Sequence, residues 1–228
     1  MSDWARPRRN RICPSVLSAD FSRLGDEIAT VAHAGADFLH VDVMDGQFVP
    51  DLTFGPILVR AMRRLTSLPL DVHLMIVEPL RFLEPFAEAG ADHLIVHLEA
   101  VQDPGQALRQ IRERGLRAGL SIKPGTPLPR YLDALPEMDI ALVMTVEPGK
   151  GGQAFLEGSE ARIAAVREAI ERKNLDCLVA VDGGIDPTTA PIAGRAGADT
   201  FIAGHSIFRL PPDPATSLRA LRGVLASS

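Results

Sequence analysis

The chain has 228 residues, of which 46% are hydrophobic and 23% are charged, and this composition excludes a short module, a fibrous protein and a disordered chain. Its 24 basic and 29 acidic residues give a net charge of −5 and are interspersed along most of the length, so we expect no binding to nucleic acid. No apolar run approaches the roughly 20 residues that span a bilayer, so we expect no membrane segment.

The first ten residues include Arg6, Arg8 and Arg9, and we interpret residues 1–10 as a basic flexible tail that precedes a catalytic domain over residues 11–228. The tail lacks the apolar stretch and the small-residue cleavage site of a secretory signal, so we expect a cytoplasmic protein. Cys13 and Cys177 are too few and too far apart for a disulfide framework, and they predict two free thiols.

One four-residue phrase, AGAD, occurs at residues 34–37, 89–92 and 196–199. Each copy follows a helix-like segment and precedes an apolar run, and the copies lie about two and about four units of roughly 27 residues apart. Glycine suits the left-handed position that ends a helix. The phrase therefore marks a repeated helix-to-strand junction in a chain that is long enough for about eight units.

Helical and extended patterns alternate along the chain. One-sided helical spacing occurs in three segments, formed by Leu24, Ile28 and Val31, by Ile163, Val166 and Ile170, and by Leu218, Leu221 and Leu225. Short apolar runs predict strands near residues 12–17, 37–43, 69–75, 94–96, 116–122, 140–144, 178–181 and 201–203. Eight such units predict an α/β protein with a single (β/α)8 TIM barrel. An open doubly wound sheet would carry fewer units and a GxGxxG segment after its first strand.

Polar side chains occur near the carboxyl ends of several strands, which is where barrels of this kind place their active sites. Period-two geometry gives each strand one inward face, and several side chains converge if those faces point into the barrel: His40, Asp42, Met44, His73, Met75, Met144 and Asp182. Each polar residue alone could be a satisfied core group, but two buried carboxylates without a shared cation would be costly. Two imidazoles and two carboxylates predict a site for one divalent metal ion such as Zn, Mn, Fe(II) or Co(II).

A second group of residues is rich in glycine and follows the sixth, seventh and eighth strands: Gly149, Gly151, Gly152, Gly183, Gly184 and Gly204. Glycine lets backbone N–H groups approach a ligand, and a following helix N-terminus favours an anion. Barrel turns need glycine in any case, but three adjacent loops of this kind predict a phosphate site.

These segments resemble the ribulose-phosphate 3-epimerase family from roughly residue 12 to residue 208. The matching stretches are PSVLSADF from Pro14, ADFLHVDVMDGQFVPDLTFG from Ala36, DVHLM from Asp71, KPGT from Lys123, LVMTVEPG from Leu142 and VDGGI from Val181. The resemblance implies an isomerase of the pentose phosphate pathway that interconverts D-ribulose 5-phosphate and D-xylulose 5-phosphate. It also implies a homo-oligomer, since the family forms dimers or hexamers.

The resemblance implies a role for each site residue. His40, Asp42, His73 and Asp182 would hold the metal, and Asp42 and Asp182 would also act as acid and base. The substrate would contact Ser15, His73, Met44, Met75, Met144, Gly149, Gly151, Gly152, Gly183, Gly184, Gly204 and His205. The resemblance gives His97 no ligand role, and we expect this residue to be structural or to support the site.

The chemistry of epimerisation agrees with these roles. Inverting the carbon beside a ketone requires removal of a proton from one face and return of a proton to the other, so two proton carriers must flank the substrate. The intermediate is an enediolate, and a metal on the substrate oxygens would spread its negative charge. Thioethers beside it are polarisable and carry no exchangeable proton.

Two residues depart from the family pattern. Lys150 stands where the family has an aromatic residue in GFGGQ, and His205 follows Gly204 where the family has GSAIF. We expect Lys150 to act as a flexible cationic lid and His205 as a second phosphate donor. The departures leave open a 3-epimerase of another ketose phosphate, such as D-allulose 6-phosphate. A further alternative is a metal-free phosphate-binding barrel, an isomerase or lyase of amino-acid or cofactor synthesis, which would not need His40, Asp42, His73 and Asp182 together. A non-catalytic binding barrel is disfavoured because every proposed catalytic position is present.

Overall fold

The structure, a computed structural model, describes residues 10–227, and these residues form one ring of parallel strands alternating with helices. The strands are β1 (Arg11–Pro14), β2 (Leu39–Met44), β3 (Leu70–Met75), β4 (His93–His97), β5 (Arg117–Ile122), β6 (Ile140–Met144), β7 (Leu178–Asp182) and β8 (Thr200–Ala203). The helices are α1 (Leu24–His33), α2 (Pro56–Leu65), α3 (Leu83–Ala89), α4 (Pro104–Arg112), α5 (Pro129–Ala134), α6 (Ser159–Arg172), α7 (Ala190–Arg195), α8 (His205–Phe208) and α9 (Pro214–Ala226). The predicted basic tail lies outside the described residues except for Asn10.

The strands follow the order β1-β8-β7-β6-β5-β4-β3-β2, and all hydrogen-bonded neighbours are parallel. A single parallel bridge between Ser15 and His40 joins β1 to β2. The predicted (β/α)8 barrel is therefore confirmed, and its closing bridge lies between two of the predicted site residues. The first strand is shorter than predicted, because Val16–Ser18 form a 3-10 turn in which the amide of Ala19 donates to the carbonyl of Val16.

The three helices with the clearest apolar spacing are α1, α6 and α9, and each packs that face on the barrel. Their buried residues include Ile28 and Val31, Ile163, Val166 and Ile170, and Leu218, Leu221 and Leu225. No helix within residues 10–227 combines the length and apolar composition needed to cross a bilayer. Both thiols are buried and unpaired with each other. Cys13 lies in β1 and Cys177 lies just before β7, two strands that are not neighbours.

Four aspartates tie the amino-terminal end of the barrel together: Asp37, Asp92, Asp139 and Asp199. Asp92 shows the pattern, because its carboxylate accepts the N–H of Leu70 at 2.8 Å and pairs with Arg63 at 2.8 Å. The other three accept the N–H groups of Ile12, Ala118 and Val179 and pair with Arg222, Arg112 and Arg167.

Each of these four aspartates therefore precedes an even-numbered strand and holds the backbone of the odd-numbered strand before it. This explains the spacing of the AGAD phrase, which recurs at multiples of two units. Its glycines have φ values of 95°, 99° and 110°, as the helix-ending role predicts.

Candidate active site

Four polar side chains from β2, β3 and β7 meet inside the carboxyl end of the barrel: His40, Asp42, His73 and Asp182. Parallel pairing places Asp42 beside His73, and the alternation of β2 points His40 and Asp42 to the same side. Asp42 Oδ1 lies 3.2 Å from His40 Nε2 and 3.4 Å from His73 Nδ1, and Asp182 Oδ2 lies 4.0 Å from His73 Nδ1. One ligand atom from each residue lies within 4.8 Å of all the others.

Two imidazole nitrogens in this cluster, His40 Nε2 and His73 Nδ1, are buried and make no hydrogen bond among the described residues. Both side chains are fully enclosed. A buried polar atom without a partner costs about 1–3 kcal/mol, and a cation would remove that cost by taking up the lone pair. Two imidazoles with two carboxylates also form a donor set that suits a borderline divalent ion. The residues therefore fit a divalent metal ion.

The other nitrogen of each imidazole has a hydrogen-bond partner. His40 Nδ1 lies 2.7 Å from Asp71 Oδ2, and Asp71 Oδ1 lies 3.3 Å from His93 Nδ1. His73 Nε2 lies 2.9 Å from His97 Nε2. Sequence reasoning did not single out Asp71, although period two places Asp71 on the face that carries His73.

Burial and charge separate the two carboxylates. Burial raises the pKa of Asp182 to about 7, and the negative charge of Asp42 adds to this effect. Burial also acts to raise the pKa of Asp42, but the adjacent His40 and His73 imidazoles outweigh it and hold that pKa well below the ordinary value. Ser15 Oγ also donates to Asp42 Oδ2 at 2.5 Å. The protein groups alone therefore favour an ionised Asp42 beside a more basic Asp182.

His97 is buried behind His73, and its Nδ1 lies 3.1 Å from Glu99 Oε2. Burial lowers the pKa of His97 to about 4, with the Glu99 carboxylate opposing the shift. His97 is therefore neutral at neutral pH. Sequence reasoning gave His97 a structural or supporting place and did not single out Glu99.

A cavity of about 580 Å³ opens above the carboxylates, within the range expected for a small-molecule site. Among the predicted site residues its lining contains Ser15, Asp42, Met44, Met75, Met144, Gly149, Gly151, Gly152, Asp182, Gly183, Gly184, Gly204 and His205. His40 and His73 are enclosed behind this lining and do not form part of it. The structure thus brings the carboxylates, thioethers and glycine loops to one space. His73 lies behind that space, with its Nδ1 towards the two carboxylates and its Nε2 bonded to His97.

The glycine loops are packed tightly against neighbouring segments of the chain. At Gly184, where φ is +64°, an added Cβ would lie 2.7 Å from the Cα of Phe155 and 2.9 Å from the carbonyl carbon of Ala154. At Gly204 it would lie 2.7 Å from Ser18 Oγ. These turns can therefore approach the neighbouring segments only because they carry no side chain.

The two residues that depart from the family pattern both line the cavity. Lys150 is exposed in the loop after β6, and Gln153 Nε2 donates to the carbonyls of Glu147 and Lys150 at 2.7 and 2.8 Å. The His205 ring faces Gly152, where an added Cβ would lie 3.6 Å from His205 Nδ1. Both side chains thus stand at the glycine-rich end of the cavity.

The sequence profile of the ribulose-phosphate 3 epimerase family matches residues 11–208. The ribulose-phosphate 3-epimerase of Mycobacterium tuberculosis is 49% identical, covering 92% of this chain and 91% of its own. That of Bacillus subtilis is 46% identical, covering 87% and 92%. Among solved structures, KGPDC from Streptococcus mutans aligns with a TM-score of 0.71 at 16% identity over 96% of this chain and 98% of its own, which shows a shared fold.

Proposed function

The chain belongs to the ribulose-phosphate 3 epimerase family, and we propose that it interconverts D-ribulose 5-phosphate and D-xylulose 5-phosphate with a bound divalent metal ion. One observation carries this proposal. Two unpaired imidazole nitrogens and two carboxylates meet at one end of a cavity whose other end is lined by three glycine loops.

His40 Nε2, His73 Nδ1 and the carboxylates of Asp42 and Asp182 would hold the ion. A divalent cation supplies Lewis-acid stabilisation of negative charge on the substrate oxygens when it is bound. The protein contributes the orientation of the ligands, because the second nitrogen of each imidazole is already hydrogen-bonded.

Asp42 and Asp182 would carry the two protons. They lie on β2 and β7, both border the cavity, and a substrate lying between them would present one face to each carboxylate. Ser15 fixes the orientation of the Asp42 carboxylate. An epimerase needs one group that holds a proton while another accepts one, and two carboxylates on different strands would supply both roles.

Three methionines cover the reacting part of the cavity: Met44, Met75 and Met144. Each is at most 3% exposed, so together they keep water from the floor of the site. Their thioethers carry no exchangeable proton, so they cannot protonate an enediolate on the wrong face.

The glycine loops would bind the phosphate, with Lys150 and His205 adding positive charge or N–H donors at that end. Lys150→Ala should raise KM for D-ribulose 5-phosphate and leave kcat nearly unchanged if Lys150 contacts the phosphate. Lys173→Ala serves as the control, because it removes an exposed lysine just after α6, where the Lys173 Nζ donates to the carbonyl of Leu132. Equal kinetics for the two variants would remove Lys150 from the proposal.

The same two residues favour a second candidate, a 3-epimerase of a longer ketose phosphate such as D-allulose 6-phosphate. Lys150 and His205 lie at the rim where a longer chain would place its phosphate. Values of kcat/KM for the two sugars, measured side by side by NMR, decide between the candidates.

Exchange of one solvent deuteron at C3 of D-ribulose 5-phosphate tests the reaction directly. We expect exchange with the wild-type protein, and a loss of about 10²-fold or more in Asp42→Asn and Asp182→Asn. Asp133→Asn changes an exposed aspartate on α5 and should retain full exchange. Exchange that survives removal of all divalent metal by chelation would refute the metal requirement.

The homo-oligomer also remains a prediction. Leu52, Val77 and Phe82 border one surface groove and are 80%, 40% and 41% exposed, which supports self-association through this apolar area. Light scattering coupled to size exclusion would give the mass in solution, and a monomeric mass would refute the prediction.

A further inference from the structure

A row of hydrogen-bonded side chains runs from the proposed metal centre to the edge of the barrel. His73 Nε2 lies 2.9 Å from His97 Nε2, and His97 Nδ1 lies 3.1 Å from Glu99 Oε2. The two imidazoles are fully buried and stacked, with ring centroids 4.8 Å apart, whereas the Glu99 side chain is 20% exposed. Glu99 Oε1 accepts the N–H of Lys123 at 2.9 Å and the hydroxyl of Thr126 at 2.5 Å.

The positions of the protons in this row follow from its two ends. Glu99 is an acceptor at both oxygens, so His97 must carry its proton on Nδ1 in order to donate to Oε2. His97 Nε2 then has a lone pair, and it can bond to His73 only if His73 Nε2 carries a proton. Neutral His73 is left with its lone pair on Nδ1, which is the unpaired nitrogen that faces Asp42 and Asp182.

We propose that His97 and Glu99 are positioning residues that fix the tautomer and the ring orientation of His73, and thereby set the affinity of the site for its metal ion. This inference rests on the metal centre of the proposed function. With the opposite order of protons, His73 Nδ1 would carry a hydrogen towards the site and could not act as a ligand.

The two histidine ligands are held in different ways. His40 bonds directly to the buried carboxylate of Asp71, whereas His73 reaches its carboxylate only through a second imidazole. Phe48, from the loop after β2, covers this second imidazole with ring centroids 4.7 Å apart. His73 is linked to Glu99 only through the two hydrogen bonds of His97, so a single substitution of His97 breaks the link.

The test measures metal binding by the full-length protein. Co(II) binding is followed by its absorption spectrum, and Zn(II) affinity is measured by competition between the protein and a chelator. His97→Phe removes the acceptor and should weaken Zn(II) binding by about 10- to 100-fold. His97→Gln keeps an acceptor oxygen and should recover part of that loss. Glu99→Gln keeps the shape of the side chain but lacks the carboxylate, and we expect it to weaken Zn(II) binding about tenfold.

Tyr131→Phe provides the control for a general loss of stability. The Tyr131 hydroxyl is buried and donates to the carbonyls of Leu120 and Leu142, so its removal also costs a buried hydrogen bond. We expect this variant to have a lower melting temperature and unchanged Zn(II) affinity.

Long-range ¹H–¹⁵N spectra of the Zn(II)-loaded protein give a readout that does not depend on activity. We expect a proton on Nε2 of His73 and on Nδ1 of His97. A proton on Nε2 of His97, or wild-type Zn(II) affinity in both His97→Phe and Glu99→Gln, would overturn the inference and leave the metal centre intact. Failure of the wild-type protein to bind either ion would overturn the proposed metal centre as well. If His97→Phe does not fold, Glu99→Gln and His97→Gln carry the comparison.

Discussion

Replacing Gly184 with alanine should damage the phosphate end of the cavity through one steric collision. The new Cβ would lie 2.7 Å from the Cα of Phe155, whereas carbon atoms pack at about 3.5 Å or more, so the backbone at residues 154–155 must move by about 1 Å. Overpacking of this kind costs about 1–3 kcal/mol. The left-handed backbone at φ +64° adds about 1–2 kcal/mol, offset in part by the lower entropy of an unfolded chain with alanine.

Gly158→Ala separates the two contributions. Gly158 also has a positive φ, +83°, but an added Cβ there meets no atom within 4 Å. It should therefore show the backbone cost alone. We expect Gly184→Ala to melt about 4–8 °C below Gly158→Ala, for a collision worth about 2 kcal/mol.

Kinetics with D-ribulose 5-phosphate complete the comparison. A displacement of about 1 Å in the loop that borders the substrate should lower kcat/KM by up to about 10²-fold in Gly184→Ala and leave Gly158→Ala near wild type. Equal melting temperatures and equal kcat/KM in the two variants would show that the loop absorbs the extra methyl group without moving the site, and would refute the reasoning.

Three further predictions concern stability. Despite partial burial, which acts to raise it, the pKa of Asp45 is held below its ordinary value by backbone N–H donors that include Val77. Asp45→Asn removes the carboxylate oxygen that accepts the N–H of Val77, and it should lower the free energy of unfolding by about 1 kcal/mol at pH 7. Because the native pKa is depressed, the difference in free energy of unfolding between wild type and variant is fully present above the ordinary aspartate pKa of about 3.9. The difference closes as the pH falls through the native pKa, and urea titrations at pH 7 and pH 3 would measure it. Arg167→Met leaves the Asp199 carboxylate buried without its partner at 2.5 Å and should cost about 3–5 kcal/mol in urea unfolding, whereas a loss below 1 kcal/mol would contradict the importance of the pair. Asp213 caps the N-terminus of α9, so Asp213→Ala should lower the melting temperature, and an unchanged melting temperature would count against the cap.

The sequence was most informative in β2, where alternating residue types distinguish the two faces of the strand. The alternation in HVDVM places His40, Asp42 and Met44 on one side, and the register of β2 with β3 then brings His73 alongside Asp42. The fold class follows from the same regularity, because repeated αβ junctions at a fixed spacing are compatible with few topologies.

The contacts that support the site were harder to predict. Asp71 shares the face of His73, but a carboxylate near the start of a strand gives no sign that it bonds to His40 on the neighbouring strand. Glu99 lies beyond the end of β4, where period-two reasoning no longer applies. These partners depend on pairing between strands, which one sequence does not display.

The four aspartate–arginine pairs at the amino-terminal end of the barrel have a consequence for the order of folding. Three of the aspartate–arginine pairs join residues 27, 29 and 32 positions apart, whereas the pair of Asp37 with Arg222 joins residues 185 positions apart. Because the entropy lost on closing a loop grows with its length, the three local pairs can form early, and the fourth forms only when the first and last units meet. Loss of Arg222 should therefore accelerate unfolding and leave the folding rate nearly unchanged, whereas loss of Arg63 should slow folding.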